Sequence, residues 1–138
     1  MSYKLLDHAT DAIIQVTAKD LDEAFSVAGQ AVADITLDSK AVENSEEKRI
    51  AVSADDLQYL LFNWLEAVIY LLITEGFAIS KITAKITKNK EYNIEAIAVG
   101  EPIDLKKHGF KVEIKAPTFH EMKITQGNNV SMKFLLDL

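Results

Sequence analysis

The sequence predicts an α+β protein in which two helices pack on an antiparallel or mixed sheet. Three observations carry that prediction. Two long segments repeat apolar residues at helical spacing, several shorter segments alternate as strands do, and one strand-to-helix junction occurs twice. The first helix, residues 21–37, places Leu21, Ala24, Phe25, Ala28, Ala31, Val32 and Ile35 on one face. The second, residues 57–74, carries a broader stripe of Leu57, Leu60, Leu61, Trp64, Leu65, Val68, Leu71 and Leu72, widened by Phe62, Ile69, Tyr70 and Ile73. It is expected to be the central core helix, ended by Gly76, because its polar face lacks the Lys and Arg that an interfacial helix uses.

The rest reads as strands. A short one follows Met1, an apolar run covers residues 12–16, and further strands are expected over 79–87, 92–99, 111–115, 121–125 and 130–138. Residues 88–90 and 126–129 have hairpin-turn composition. Val16-Thr17-Ala18-Lys19-Asp20-Leu21 and Val52-Ser53-Ala54-Asp55-Asp56-Leu57 echo one another at an offset of 36 (52 minus 16). Each joins the end of a strand to the start of a helix. Asp20 with Glu23, and Asp55 with Gln58, have capping-box spacing, so these acids are assigned to helix starts and not to chemistry.

Composition sets limits on function. At 138 residues and 49% hydrophobic, with two prolines, five glycines and no shift in composition along its length, the chain reads as one domain, 1–138. No signal peptide and no apolar run of about 18 residues are expected, so the reading is of a soluble, cytoplasmic protein without membrane contact. The absence of cysteine excludes disulfides, thiolate metal sites and thiol nucleophiles. A metal would have to be held by oxygen or imidazole. The formal net charge of −6 argues against direct wrapping of a nucleic-acid backbone.

The last strand carries the strongest chemical signal. Val130, Met132, Phe134 and Leu136 share one face, while Asp137 falls on the other and stands beside Leu138 with its terminal carboxylate. Several hard oxygen donors converge there, which suits a hard cation such as calcium or magnesium. Asp11, at the mouth of the strand that begins with Ala12, is the candidate second ligand if that strand pairs with the last one. Each acid alone also fits an ordinary turn or solvated residue.

A second polar cluster runs through Gly100-Glu101, Asp104 to His108, and Lys115-Ala116-Pro117-Thr118-Phe119-His120. The loop holding Glu101 and His108 fits a solvated surface segment. Lys115 and His120 flank a proline-containing break of the kind that re-aims side chains. His120 alone as a general base lacks a companion: no Gly-x-Ser-x-Gly, glycine-rich phosphate loop or His-Glu-x-x-His is present.

In these segments the chain resembles the archease family, the small protein cofactors of the RNA ligase of tRNA splicing and RNA repair. The family's His-Thr-Ala-Asp appears as His8-Ala9-Thr10-Asp11, and its second helix start as Asp55-Asp56-Leu57-Gln58-Tyr59-Leu60-Leu61-Phe62. Its late loop appears as Gly100-Glu101 and His108, its Lys-Ala-x-Thr-Tyr-His as Lys115-Ala116-Pro117-Thr118-Phe119-His120, and its terminal acid motif as Leu136-Asp137-Leu138. The resemblance covers nearly the whole chain. It departs where Thr and Ala are exchanged beside Asp11 and where Pro117 and Phe119 precede His120.

The resemblance implies a duplicated strand-helix-strand-strand module and a protein that is not itself an enzyme. It implies activation of the ligase by promoting guanylylation of the ligase's active-site histidine, restoring turnover and broadening nucleotide use. It further implies a divalent metal, calcium, magnesium or manganese, on Asp11, Asp137 and a main-chain or terminal oxygen of Leu138. His8, Glu101, His108, Lys115 and His120 are then expected near the partner, with RNA reached only through the ligase. The rival readings are a stand-alone metal-dependent phosphoester hydrolase using Asp11, Asp137 and His120, and a protein-binding adaptor with no metal role.

Overall fold

Capping and apolar patterning place two helices as the sequence predicts. The computed structural model describes residues 2–6 and 11–138, apart from the side chains of Leu5 and Leu6. Helix α1 (Leu21–Thr36) starts at Asp20, whose carboxylate accepts from the Glu23 N–H at 2.9 Å, while the Glu23 carboxylate reaches back to the Lys19 N–H at 3.0 Å. Helix α2 (Leu57–Ile69) is capped one residue later than the spacing predicted, by Asp56 accepting from the Tyr59 N–H at 2.8 Å. Asp56 has the extended backbone that aims its carboxylate at the free amides. A single π-helical turn, Tyr70–Thr74, widens the end of α2 before Gly76 closes it at a φ of 65°.

Contrary to the expectation of no apolar run of about 18 residues, the helix from Leu57 to Thr74 has the length, 18 residues, and the mean hydropathy, 1.4, of a membrane span. Burial identifies it as a core helix instead. Leu60, Leu61, Trp64, Leu65 and Val68 are fully buried, and the Trp64 indole N–H donates to the Phe25 carbonyl of α1 at 2.8 Å.

The strands form two antiparallel sheets and not one. One holds β1 (Ser2–Leu6), β2 (Asp11–Ala18), β7 (Val130–Asp137) and β6 (Ala116–Gln126), in the order β1-β2-β7-β6. The other holds β3 (Glu46–Ala54), β5 (Tyr92–Pro102) and β4 (Phe77–Lys88), in the order β3-β5-β4. The echo at offset 36 now has a topological meaning. β3, α2, β4 and β5 form a strand-helix-strand-strand unit whose first strand pairs with its last, and β2, α1, β6 and β7 form another with the same pairing. The inner unit is inserted whole between the helix and the two closing strands of the outer one.

The outer edge of β4 is sealed by a helix. Asp22, Ser26 and Gln30, spaced four apart on α1, accept from the backbone N–H groups of Ile86, Ala84 and Ile82 at 2.9, 2.8 and 3.2 Å. The Gln30 amide also donates to the Ser80 carbonyl at 3.1 Å. A row of polar side chains on α1 thus takes the place of a neighbouring strand.

Residues 111–115, expected as a strand, are not one. The Lys111 N–H donates to the carbonyl of Thr36 and the Lys115 N–H to that of Asp137, both at 2.8 Å, so the two ends of this segment are tied to different elements and only Ile114 is buried in the core. β6 instead begins at Ala116 and takes in the proline. Within the loop after β5, a short helix, α3 (Leu105–His108), was not anticipated.

The tightest backbone approach is at Gly100, where a Cβ would lie 1.8 Å from the Ala78 carbonyl oxygen on the neighbouring strand. Gly100→Ala is therefore expected to destabilise the fold by about 3 kcal/mol, measured by urea denaturation, because backbone and not a pliable side chain must move.

Candidate acidic centre and partner face

The register of β2 against β7 sets Asp11 directly opposite Asp137. From there the two strands run antiparallel with Ile13 opposite Leu135, Gln15 opposite Lys133 and Thr17 opposite Ser131, all on the sheet face turned away from the main core. Ile13 and Leu135 are buried on that face at 8% and 5% exposure, so the acids border a small apolar pair. Asp11 is half-buried and Asp137 exposed. The Asp137 main-chain oxygen accepts from Lys115, and Leu138 packs partly against the core.

Like charges directly opposite one another destabilise a strand pair. Two carboxylates in this arrangement supply hard oxygen donors that suit a magnesium or calcium ion whose remaining positions are filled from elsewhere. Among the described residues no third His, Asp or Glu completes a metal-binding group, and His8 lies outside the described residues.

Next to the acids, β6 is an irregular edge strand. Ala116 faces Asp137 and Thr118 faces Leu135, then the pairing with β7 shifts register before Lys123. Inside that irregularity Glu121 adopts a left-handed backbone, φ 57°, an unusual conformation for a residue with a side chain. Lys133 pairs with its carboxylate at 3.1 Å. His120, 3.7 Å from Glu121, has a side chain 75% exposed. Lys115 is exposed as well, so both residues flanking the proline are presented to solvent.

Phe119, two residues after the core-facing Pro117, lies on the α2 side of the sheet. Its ring stacks on Phe62 with centroids 4.4 Å apart and planes 8° from parallel, and meets Tyr59 at 4.9 Å. Sequence reasoning missed this cluster. Phe62 had been placed in the core stripe and Phe119 treated only as a departure beside His120, although Tyr59 and Phe62, three apart on a helix start, share a face.

Glu101 and His108 do not form an open loop site. The His108 side chain is fully buried; its Nδ1 accepts from the Asp104 N–H at 2.9 Å, so Nε2 carries the ring proton and donates to Glu101 at 2.9 Å. Glu101 also accepts from the Glu43 N–H at 2.9 Å and pairs with Lys107 at 2.9 Å. The role of His108 is to hold the α3 loop against β5, since its ring reaches no surface. The Glu43 amide, then His108 and Lys107, hold the Glu101 carboxyl at about 2, below its ordinary 4.5.

These features define a class: a nested, duplicated α+β protein with an acidic strand-end pair on one face of its outer sheet and an exposed aromatic cluster at the start of its second helix. Comparison with known proteins gives the family. The model of the archease protein family matches residues 3–138. Protein archease of Pyrobaculum islandicum is 41% identical over 91% of this chain and 87% of its own, and that of Pyrobaculum neutrophilum is 37% identical over 99% and 95%. The solution structure of a Methanobacterium thermoautotrophicum protein superposes with a TM-score of 0.83 at 28% identity, covering 99% of both chains. A Thermotoga maritima crystal structure, described as an archease and possible chaperone, shares the fold with a TM-score of 0.65 at 19% identity over 98% and 96% of the chains. The chain belongs to the archease family.

Two predictions follow from the local geometry. Because the Glu101 carboxyl is depressed in the folded state, its contribution to stability is present above pH 4.5 and is lost as pH falls towards 2. Thermal unfolding temperatures of wild type should therefore fall more steeply over that window than those of Glu101→Gln. At the left-handed position, Glu121→Gly is expected to leave the unfolding temperature unchanged or raised, whereas Glu121→Val should cost about 1–2 kcal/mol in chemical denaturation.

Proposed function

We propose that this archease activates the RNA ligase of tRNA splicing and RNA repair, promoting its guanylylation and repeated turnover without being an enzyme itself. The observation that carries the reading is the register that sets Asp11 opposite Asp137 at an open strand end. Asp11, Asp137 and an oxygen of Leu138 would hold a divalent ion, calcium, magnesium or manganese. Such an ion, when bound, offsets the phosphate charge that develops during nucleotidyl transfer. The two carboxylates would hold the ion, and the charge it supplies would be offered to the partner's nucleotide phosphates. Magnesium suits this division, since it is commonly held by one or two carboxylates together with substrate phosphates.

The working site is cytoplasmic, and RNA is reached only through the ligase, in keeping with the net charge of −6. Lys115, just before the adjoining edge strand, and His120 within it are exposed and would be offered to the partner. The ligase complex would then complete a site that this chain begins.

The test is single-turnover guanylylation of the cognate ligase with wild type, Asp11→Ala and Asp137→Ala, each shown to be folded. Wild type should stimulate and both variants should lose most of the stimulation. Full stimulation by the variants would make the protein a metal-independent adaptor, and phosphoester turnover by the isolated protein would make it a hydrolase. In thermal unfolding without partner, millimolar magnesium or calcium should raise the wild-type midpoint. Asp11→Asn and Asp137→Asn should abolish that rise while lifting the metal-free midpoint by relieving like-charge repulsion.

A further inference from the structure

Among the described residues six large apolar side chains are exposed, and two of them, Tyr59 at 57% and Phe119 at 45%, share a ring contact. Phe119 stacks on Phe62 and meets Tyr59, so the three rings form one platform spanning the start of α2 and the irregular stretch of β6. Rings held together in water gain from being covered by a partner. Acids border the platform at the start of the helix. There stand the exposed Asp55 and Asp56, the latter fixed as the α2 cap beside Tyr59. Asp137, opposite Ala116, belongs to the other face of the sheet. Of the nearby cations Lys115 is exposed, Lys90 lines a shallow pocket with Asp55, and Lys133, on the other face of the sheet, is paired with Glu121.

Aromatic faces bordered by carboxylates match one side chain above others. An arginine guanidinium stacks flat on a ring while its edge pairs with a carboxylate.

We infer that Tyr59, Phe62 and Phe119, with Asp55 and Asp56, form the docking surface for an arginine-bearing segment of the RNA ligase. This rests on the ligase reading above and gives it a specific contact.

Titration calorimetry of the full-length cognate ligase against wild type, Tyr59→Ser, Phe119→Ala, Phe119→Tyr and Asp55→Lys tests it, with guanylylation followed in parallel. Tyr59→Ser, Phe119→Ala and Asp55→Lys should each weaken binding about tenfold or more, while Phe119→Tyr binds within about threefold of wild type. Wild-type affinity should fall as potassium chloride is raised from about 0.1 to about 0.5 M. Tyr59→Ser keeps the test valid if Phe119→Ala does not fold, since the tyrosine is more than half exposed. If wild type binds and stimulates but the ring variants bind equally well, the docking surface is elsewhere and the ligase reading stands. Absence of wild-type binding overturns both. A concentration-dependent dimer of the isolated protein that Phe119→Ala abolishes, seen by light scattering, would assign the platform to a second copy instead.

Discussion

The match between a helix and a strand edge organises this fold. Side chains four apart on a helix are separated by about 6 Å along its axis, and outward-facing groups two apart on a strand by about 6.8 Å. The two repeats stay in step long enough for Asp22, Ser26 and Gln30 to meet Ile86, Ala84 and Ile82 in succession. One turn further on, Asp34 continues the row and accepts from the Tyr3 hydroxyl of β1 at 2.7 Å, so a single polar stripe of α1 grips an edge of each sheet. Burial, with Asp34 adding to it, pushes the Tyr3 phenol up to about 12, which keeps the donor protonated across the physiological range. The apolar faces of both helices then close the core between layers whose spacing is already set.

Duplication supplied the frame, and divergence placed the chemistry in one copy only. Adding the internal offset of 36 to Asp11 leads to residue 47 in the inner unit, where Glu47 stands opposite Val99 and no acid pair exists. The outer unit has Asp137 at the facing position and carries β6 with its shifted register and outward Phe119. Its edge strand is unsealed by any helix ladder like that on β4. The face available to a partner is thus the face where the outer unit departs from its inner counterpart.

Helical periodicity made α1 and α2 legible because each buries one broad stripe, and the alternation through β7 put Asp137 on the face opposite Phe134. The pairing of Asp11 with Asp137 was only conditional in the sequence, since register depends on hydrogen bonding between segments far apart in the chain. Residues 111–115 look like a strand because Val112 and Ile114 alternate with charged residues, yet their backbone groups are claimed by Thr36 and Asp137. His108 looked solvated because its neighbours are Lys106, Lys107 and Gly109, and its burial rests on a reversal by α3 that brings Nδ1 to the Asp104 amide. The aromatic platform was hidden for a similar reason: it joins Tyr59 and Phe62 to a residue about sixty positions away, through a contact between helix and strand that composition does not encode.

Nesting one unit inside another also orders the assembly of the molecule. β3, α2, β4 and β5 are contiguous in the chain and can close on themselves, whereas β2 must await β7 across the whole inserted unit, so loop-closure entropy falls mainly on the outer sheet. The contact between Asp11 and Asp137 is the most distant in sequence of all the paired positions in that sheet. An acidic centre placed there exists only in molecules that have finished folding, and a cation held between the two strands would act as a clasp on the last seam to form.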